Sequence, residues 1–353
     1  EMVSRLLMEP NFTSMYACLG ISMAVCLAEI FSILFLAVLF RSSRRREKKM
    51  KQEGMYAESA WECIRSLCVG RWPKLGTEMV LAMTLVLGLV LFCRAEQEAV
   101  WQYDIYMGKY LVICGVLISL ISILVLPIMG KIFQGFRKEE NRYARTAFQA
   151  GIHLCIVHGI FFSVFTAAMG TPISGLLGGE FGESVKKMVQ GGSLLILFAV
   201  LSLYFARFLQ AMGKRYLVLG AAGIGAVISL ITVMLTAKSG ILSLVYGGLT
   251  GSFFLCIMLG ILSCRLLRVR LEWLSVLILP LGAGGISGVI CMLFGKFLTS
   301  ALGNFPVLLI AAVVSGAVYW GLLLVLRDFR EQELDFFPGG RLINLLGQMM
   351  HIY

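Results

Sequence analysis

Residues 109–145 read KYLVICGVLISLISILVLPIMGKIFQGFRKEENRYAR. From Tyr110 to Gly130 there is no charged residue, and charges then arrive together between Lys131 and Arg145. An α-helix needs about 20 apolar residues to cross roughly 30 Å of hydrocarbon. Lipid offers no partner for bare backbone N–H and C=O groups, so such a run must be helical. The stretch predicts one transmembrane helix over 109–130 followed by a charged loop.

The same pattern recurs along the chain. Apolar spans are expected at 15–40, 72–93, 109–130, 147–170, 189–212, 216–236, 241–263, 273–296 and 304–326. Composition agrees: 59% of the 353 residues are apolar and 14% charged. A soluble domain carries about 45–50% and about 25%, so a soluble fold is excluded. The expected fold class is all-α, a polytopic transmembrane helix bundle of about nine spans.

The net charge of +11 points to topology rather than to nucleic acid, because the basic residues sit in loops between spans. With the 41–77 connection on the cytoplasmic side, 23 Lys and Arg fall inside and 6 outside. That asymmetry predicts a multi-pass protein of the cell membrane with its C-terminus in the cytoplasm. The ten cysteines are scattered without a C-x-x-C pair and read as small apolar side chains, neither a disulfide framework nor a metal site.

Enzymatic chemistry finds little support. The three aspartates are Asp104, Asp328 and Asp335, so no D-x-D pair exists, and Walker and G-x-S-x-G motifs are missing from the sequence. The histidines are His153, His158 and His351, and no carboxylate stands near them at a familiar acid–base or metal spacing. No catalytic residue, metal or cofactor is expected.

Ionisable groups inside spans carry more information, since burying a charge in lipid is costly. Glu29 and Glu78 are candidates for ion coupling or a cavity, or else satisfied polar groups. His153 and His158 are candidate proton carriers, although five residues place them about 140° apart on a helix. Arg207 lies near a span end, where it can snorkel to the interface. Lys109 and Arg94 flank the 95–108 loop, either as interfacial anchors or as a positive pair for an anionic head group. Gly247 and Gly251, and Gly284 and Gly288, have the G-x-x-x-G spacing of close helix packing.

Several stretches carry a resemblance when taken in order. They are YACLGISMAVCLAEIFSILFLAVLFRSSRRR at 16–46, SLISILVLPIMGKIFQGFRKEENRYAR at 119–145 with Pro127, and the 147–178 segment ending in TPISGLLG. ARFLQAMGKRYL at 206–217 and the tail ELDFFPGGRLINLL at 333–346 follow. The chain resembles the multidrug/oligosaccharidyl-lipid/polysaccharide flippase superfamily, in the polysaccharide-transport branch with stage V sporulation protein B-like and lipid II flippase-like members. No single motif is specific; the order and spacing agree over some 300 residues.

The resemblance implies helices 6–14 of a fourteen-helix, two-lobe transporter, and hence a C-terminal fragment that begins at Glu1 within the N-lobe. It implies this organisation: 1–40, the tail of helix 5 and helix 6; 41–71, a basic cytoplasmic linker; 72–263, helices 7–12; 264–326, helices 13–14; and 327–353, a cytoplasmic tail. It places Lys109 near a basic residue of helix 8, with Arg94 and Glu78 as further cavity candidates. Two departures stand out: RSLCVGRWPKLG at 65–76 is more basic than the family's lead-in, and loop 94–108 is short.

The implied activity is alternating-access flipping of a lipid-linked oligosaccharide or polysaccharide precursor. The implied partners are that anionic lipid-linked sugar, membrane lipid and envelope-synthesis enzymes, without nucleic acid. Open alternatives are a cation-coupled multidrug or metabolite exporter of the same superfamily and a non-transporting scaffold for envelope synthesis.

Overall fold

The structure, a computed structural model, describes residues 60–95, 105–177, 179–269, 274–326, 328, 329, 331–334, 336, 337 and 340. Helix α1 is Ala60–Ala95, with side chains described over 72–92. A π-helical turn, Tyr106–Tyr110, leads into α2 (Leu111–Arg137), then α3 (Asn141–Ala168) and α4 (Gly170–Leu177). There follow α5 (Gly182–Gly192), α6 (Leu195–Ala211), α7 (Arg215–Leu235) and α8 (Leu242–Leu267). The last are α9 (Leu279–Leu302), α10 (Asn304–Val325) and the single turn α11 (Glu331–Leu334). Among the described residues there is no strand. Residues Arg71–Tyr353 form one compact unit; of Glu1–Gly70, the described part is the first turns of α1.

Among the described residues, seven helices are long and apolar enough to cross a membrane, and α5 with α6 pass together as an eighth that bends by 51°. These stretches overlap the eight expected spans between 72 and 326. The expected span 15–40, with Glu29, lies outside the described residues. The chain is therefore a helical, multi-pass membrane bundle.

Two helices run past their expected ends. α2 continues to Arg137 rather than stopping near 130, and α3 begins at Asn141 rather than 147. Charge keeps residues 131–146 out of hydrocarbon, but Lys, Arg, Glu and Gln are good helix formers, so the helices extend beyond the apolar run. A tight turn joins them. Glu139 adopts φ 60, and the Glu140 N–H donates to the Gly135 carbonyl at 2.9 Å.

α3 is the hub. Of its most apolar window 67% is buried, against 33% or less for the other six straight spans. It touches α2, α4, α5, α6, α9, α10 and α11. Such crowding requires small residues: Gly151 lies under the Tyr204 ring and Gly159 under Leu197. The neighbours also send polar groups to its backbone. Tyr204 on α6 donates to the Phe148 carbonyl at 3.0 Å, and Tyr319 on α10 donates to the Val157 carbonyl at 2.8 Å.

Both G-x-x-x-G pairs lie at helix contacts. A Cβ on Gly247 would meet Val233 and Ser229, and one on Gly251 would come within 2.9 Å of Ser229 Cβ, so α7 and α8 are in close backbone approach. Gly284 and Gly288 do the same for α9 against Ile160 and Val164 of α3. In lipid, this packing stands in for the missing hydrophobic force between helices.

Gly251→Leu should force α7 and α8 apart and destabilise the bundle by about 1–3 kcal/mol, as overpacking does. Gly282→Leu, where an added Cβ meets nothing within 4 Å, should be near neutral. Thermal unfolding in lipid nanodiscs distinguishes the two, and equal losses would show that the glycine contact is not what packs α7 on α8.

Candidate functional site

Two features stand out in the described residues, an apolar cavity and a buried polar cluster. The cavity, of about 310 Å³, is lined from α1, α2, α6, α7 and α8 and from the π-turn. Its size falls at the low end of ligand pockets. The small side chains of Gly115, Ala199, Ala222, Gly225, Gly248 and Gly251 make the space. None of the lining residues is charged, and its polar side chains are Thr84, Tyr106, Ser229 and Ser252. Two of these hydroxyls are already committed: Thr84 donates to the Val80 carbonyl at 2.7 Å, and Tyr106 reaches the Leu244 carbonyl at 3.5 Å. The wall suits a hydrocarbon chain and offers no charged partner for a phosphate.

The π-turn closes one side of this region. Tyr106 and Tyr110 stack at 5.6 Å, and the Tyr110 hydroxyl donates to the Gly192 carbonyl at 2.9 Å. Gly192 sits at the bend between α5 and α6, where any side chain would strike that hydroxyl. Glycine is required there for this approach.

The polar cluster centres on His153, at mid-length of α3. Its Nε2 lies 2.9 Å from Asp328 Oδ2 and its Nδ1 lies 2.8 Å from Glu333 Oε2. The His153, Asp328 and Glu333 side chains are 2%, 0% and 12% exposed. Local turns bring the acids there. Beyond the last turn of α10, the Asp328 N–H donates to the Leu323 carbonyl at 3.1 Å, and α11 carries Glu333 back over α3. Aromatic rings enclose the cluster: Phe329 lies 5.3 Å from the imidazole, Phe337 6.3 Å, and Trp320 stacks on Phe329 at 5.6 Å.

Two contacts from a ring to two carboxylates need two hydrogens. Either the imidazole carries both while the carboxylates are ionised, or one carboxyl holds a proton beside a neutral ring. The cluster's net charge is −1 in both cases. Removing one side of a buried ionic contact leaves an unpaired buried charge, which costs about 3–5 kcal/mol.

The expected sites distribute as follows. His153 is joined to two carboxylates, although none stands near it in the sequence at a familiar acid–base or metal spacing. The acids lie 175 and 180 residues downstream, a separation that local spacing cannot detect. His158 does not join them: its Nδ1 donates to the Leu154 carbonyl at 3.0 Å and its ring meets Trp320 edge-on at 5.3 Å. Glu78 is 60% exposed and pairs with Lys74 at 3.8 Å, an exposed ion pair outside the cavity lining. Lys109 is half-buried within the π-turn and does not line the cavity, whereas Tyr106, three residues before it, does. Arg94 is in the last turn of α1, and its side chain lies outside the described residues, as does Glu29. No group of three or more His, Cys, Asp or Glu among the described residues has the arrangement of a metal site.

Comparison with known proteins adds no family: no family model matches the chain, and neither a curated protein nor a solved structure matches it.

A double-mutant cycle tests the cluster. His153→Ala and Asp328→Ala should couple by about 0.5–3 kcal/mol in unfolding free energy, as groups in one network do. Additive losses would mean that the two side chains act independently.

Proposed function

We propose that this protein is a flippase of the cell membrane for lipid-linked oligosaccharide or polysaccharide precursors, working by alternating access with its C-terminus in the cytoplasm. The observation that supports this reading is the uncharged cavity of about 310 Å³ walled by glycine, alanine and leucine, which suits a lipid chain. A flippase must keep the carrier's hydrocarbon in an apolar setting while its polar head crosses. The basic Lys109 follows Tyr106 of the cavity wall by one helical turn, and Arg94 ends the preceding helix; they are the nominated partners for an anionic pyrophosphate. Rocking of helical bundles about such a cavity is the mechanism that inward and outward access requires.

A second reading draws on the same observation. A wall without converging charge also fits a non-transporting scaffold that holds a lipid and recruits envelope-synthesis enzymes. Transport separates the two.

Gly115→Phe offers a clean test, because Gly115 lines the cavity and an added Cβ meets nothing within 4 Å. In liposomes carrying a fluorescent polyprenyl-pyrophosphate sugar, the two-lobe protein that the resemblance implies should move the probe between leaflets, which residues 1–353 alone should not, and Gly115→Phe in that two-lobe protein should slow it about tenfold or more. Lys109→Ala should also slow it, with normal membrane insertion. Full rates in Gly115→Phe would remove the cavity from the mechanism, and a two-lobe protein that inserts but moves nothing would favour the scaffold.

A further inference from the structure

The described residues after α10 meet the α2–α3 hairpin at two places. Asp328 and Glu333 grip His153, and eight residues past Asp328, Phe336 packs against Tyr143 at 5.1 Å while the Lys131 ammonium lies over its ring at 5.3 Å. Tyr143 is on the first turn of α3 and Lys131 on the last two turns of α2, so the segment straps the charged-turn end of the α2–α3 hairpin. α3 overhangs α10 here by the stretch from His153 to Asn141, about 18 Å at 1.5 Å per residue. Without the strap that stretch would lose the cover of Phe329, Phe336 and Phe337, all buried.

We propose that His153, Asp328 and Glu333 form a proton-binding site that works as a clasp, holding residues 328–337 on α3 while one proton is shared and releasing them when it leaves. The arithmetic is that of the two hydrogen bonds. With the shared proton, both N–H···O contacts are made at net charge −1. Without it, a neutral imidazole has one N–H, one contact is lost, and two buried carboxylates flank the ring at net −2. An unpaired charge in a buried site is the costly state.

The acid side behaves differently. Asp328 Oδ1 is buried without a hydrogen-bond partner among the described residues. While the shared proton is in place, both N–H···O contacts to the ring stand. The clasp therefore stays shut in acid and opens as pH rises past the loss of the shared proton.

The surroundings leave this cluster in control. Among the described residues of the tail, the charged groups acting on His153 are Asp328 and Glu333. From α10, Tyr319 is near Asp328 but spends its hydrogen on the Val157 carbonyl. From α3 itself, His158 is turned to Leu154. From α2, Lys131 is engaged with the Phe336 ring. From α6, Tyr204 is bonded to Phe148 and Arg207 is exposed. From α9, Cys291 is buried and Lys296 lies toward the opposite end. Among the described residues of α4 and α5, the ionisable groups are Glu183, Lys186 and Lys187, with Lys187 paired to Glu183 at 3.6 Å, far from this end.

Backbone hydrogen exchange of residues 331–337, in the full chain in lipid nanodiscs, tests the clasp once rates are corrected for base catalysis. Between about pH 5 and about pH 9, wild-type protection should be flat in acid and fall about tenfold or more on the alkaline limb. His153→Gln should be poorly protected at every pH. Glu333→Gln is the decisive variant, because a neutral ring can donate to Asp328 and accept from the Gln amide. It should stay protected and lose the alkaline limb. A wild-type profile without that limb, or a limb retained in Glu333→Gln, would overturn the proposal.

Discussion

Close packing around α3 is the constraint on which the rest of the bundle depends. In lipid, neighbouring helices gain no hydrophobic force by associating, so van der Waals contact and interhelical hydrogen bonds must hold them. Gly151 and Gly159 let α6 approach one face of α3, and Gly284 and Gly288 let α9 approach another. Tyr204 and Tyr319 then tie α6 and α10 to its backbone. With α3 surrounded, α7 and α8 can form their own glycine-mediated pair farther out, joined to the hub through α6. The cavity is the space left where α1, α2, α6, α7 and α8 meet with small side chains between them.

Much of the architecture was legible in residue order because the membrane imposes a simple rule on each span. The runs at 216–236 and 304–326 reappear within a residue or so as α7 and α10. The span expected at 189–212 became a broken helix, bent at Gly192, because the carbonyl there receives Tyr110 from a distant element. Hydropathy reports how apolar a segment is and says nothing of the contacts that bend it. The extension of α2 to Arg137 escaped notice for a related reason, since charge marks the edge of the hydrocarbon and not the end of a helix.

The site was less legible. His153 was recognisable as an ionisable group within a span, but its partners were not, because Asp328 and Glu333 lie beyond the final span. A hint existed in the run DFREQELDFF at 328–337, where four acids and three phenylalanines follow a long apolar helix. Such a segment can fold back with its rings on a helix and its acids on a buried base. Lys109 and Glu78 stand out by charge at a span, and charge alone does not say whether a side chain faces a cavity, an ion-pair partner or the membrane. The small residues that shape the cavity, Gly115 and Gly225 among them, carry no chemistry that a sequence motif would flag.

On the proposed function, the apolar cavity holds the chain of a polyprenyl-linked lipid. Mass spectrometry of lipids released from protein purified in mild detergent addresses it directly. The account predicts a polyprenyl phosphate or pyrophosphate lipid, enriched over bulk phospholipid in wild-type protein and depleted when Gly115 is replaced by Phe. Recovery of bulk phospholipid alone, in equal amounts from both proteins, would contradict it.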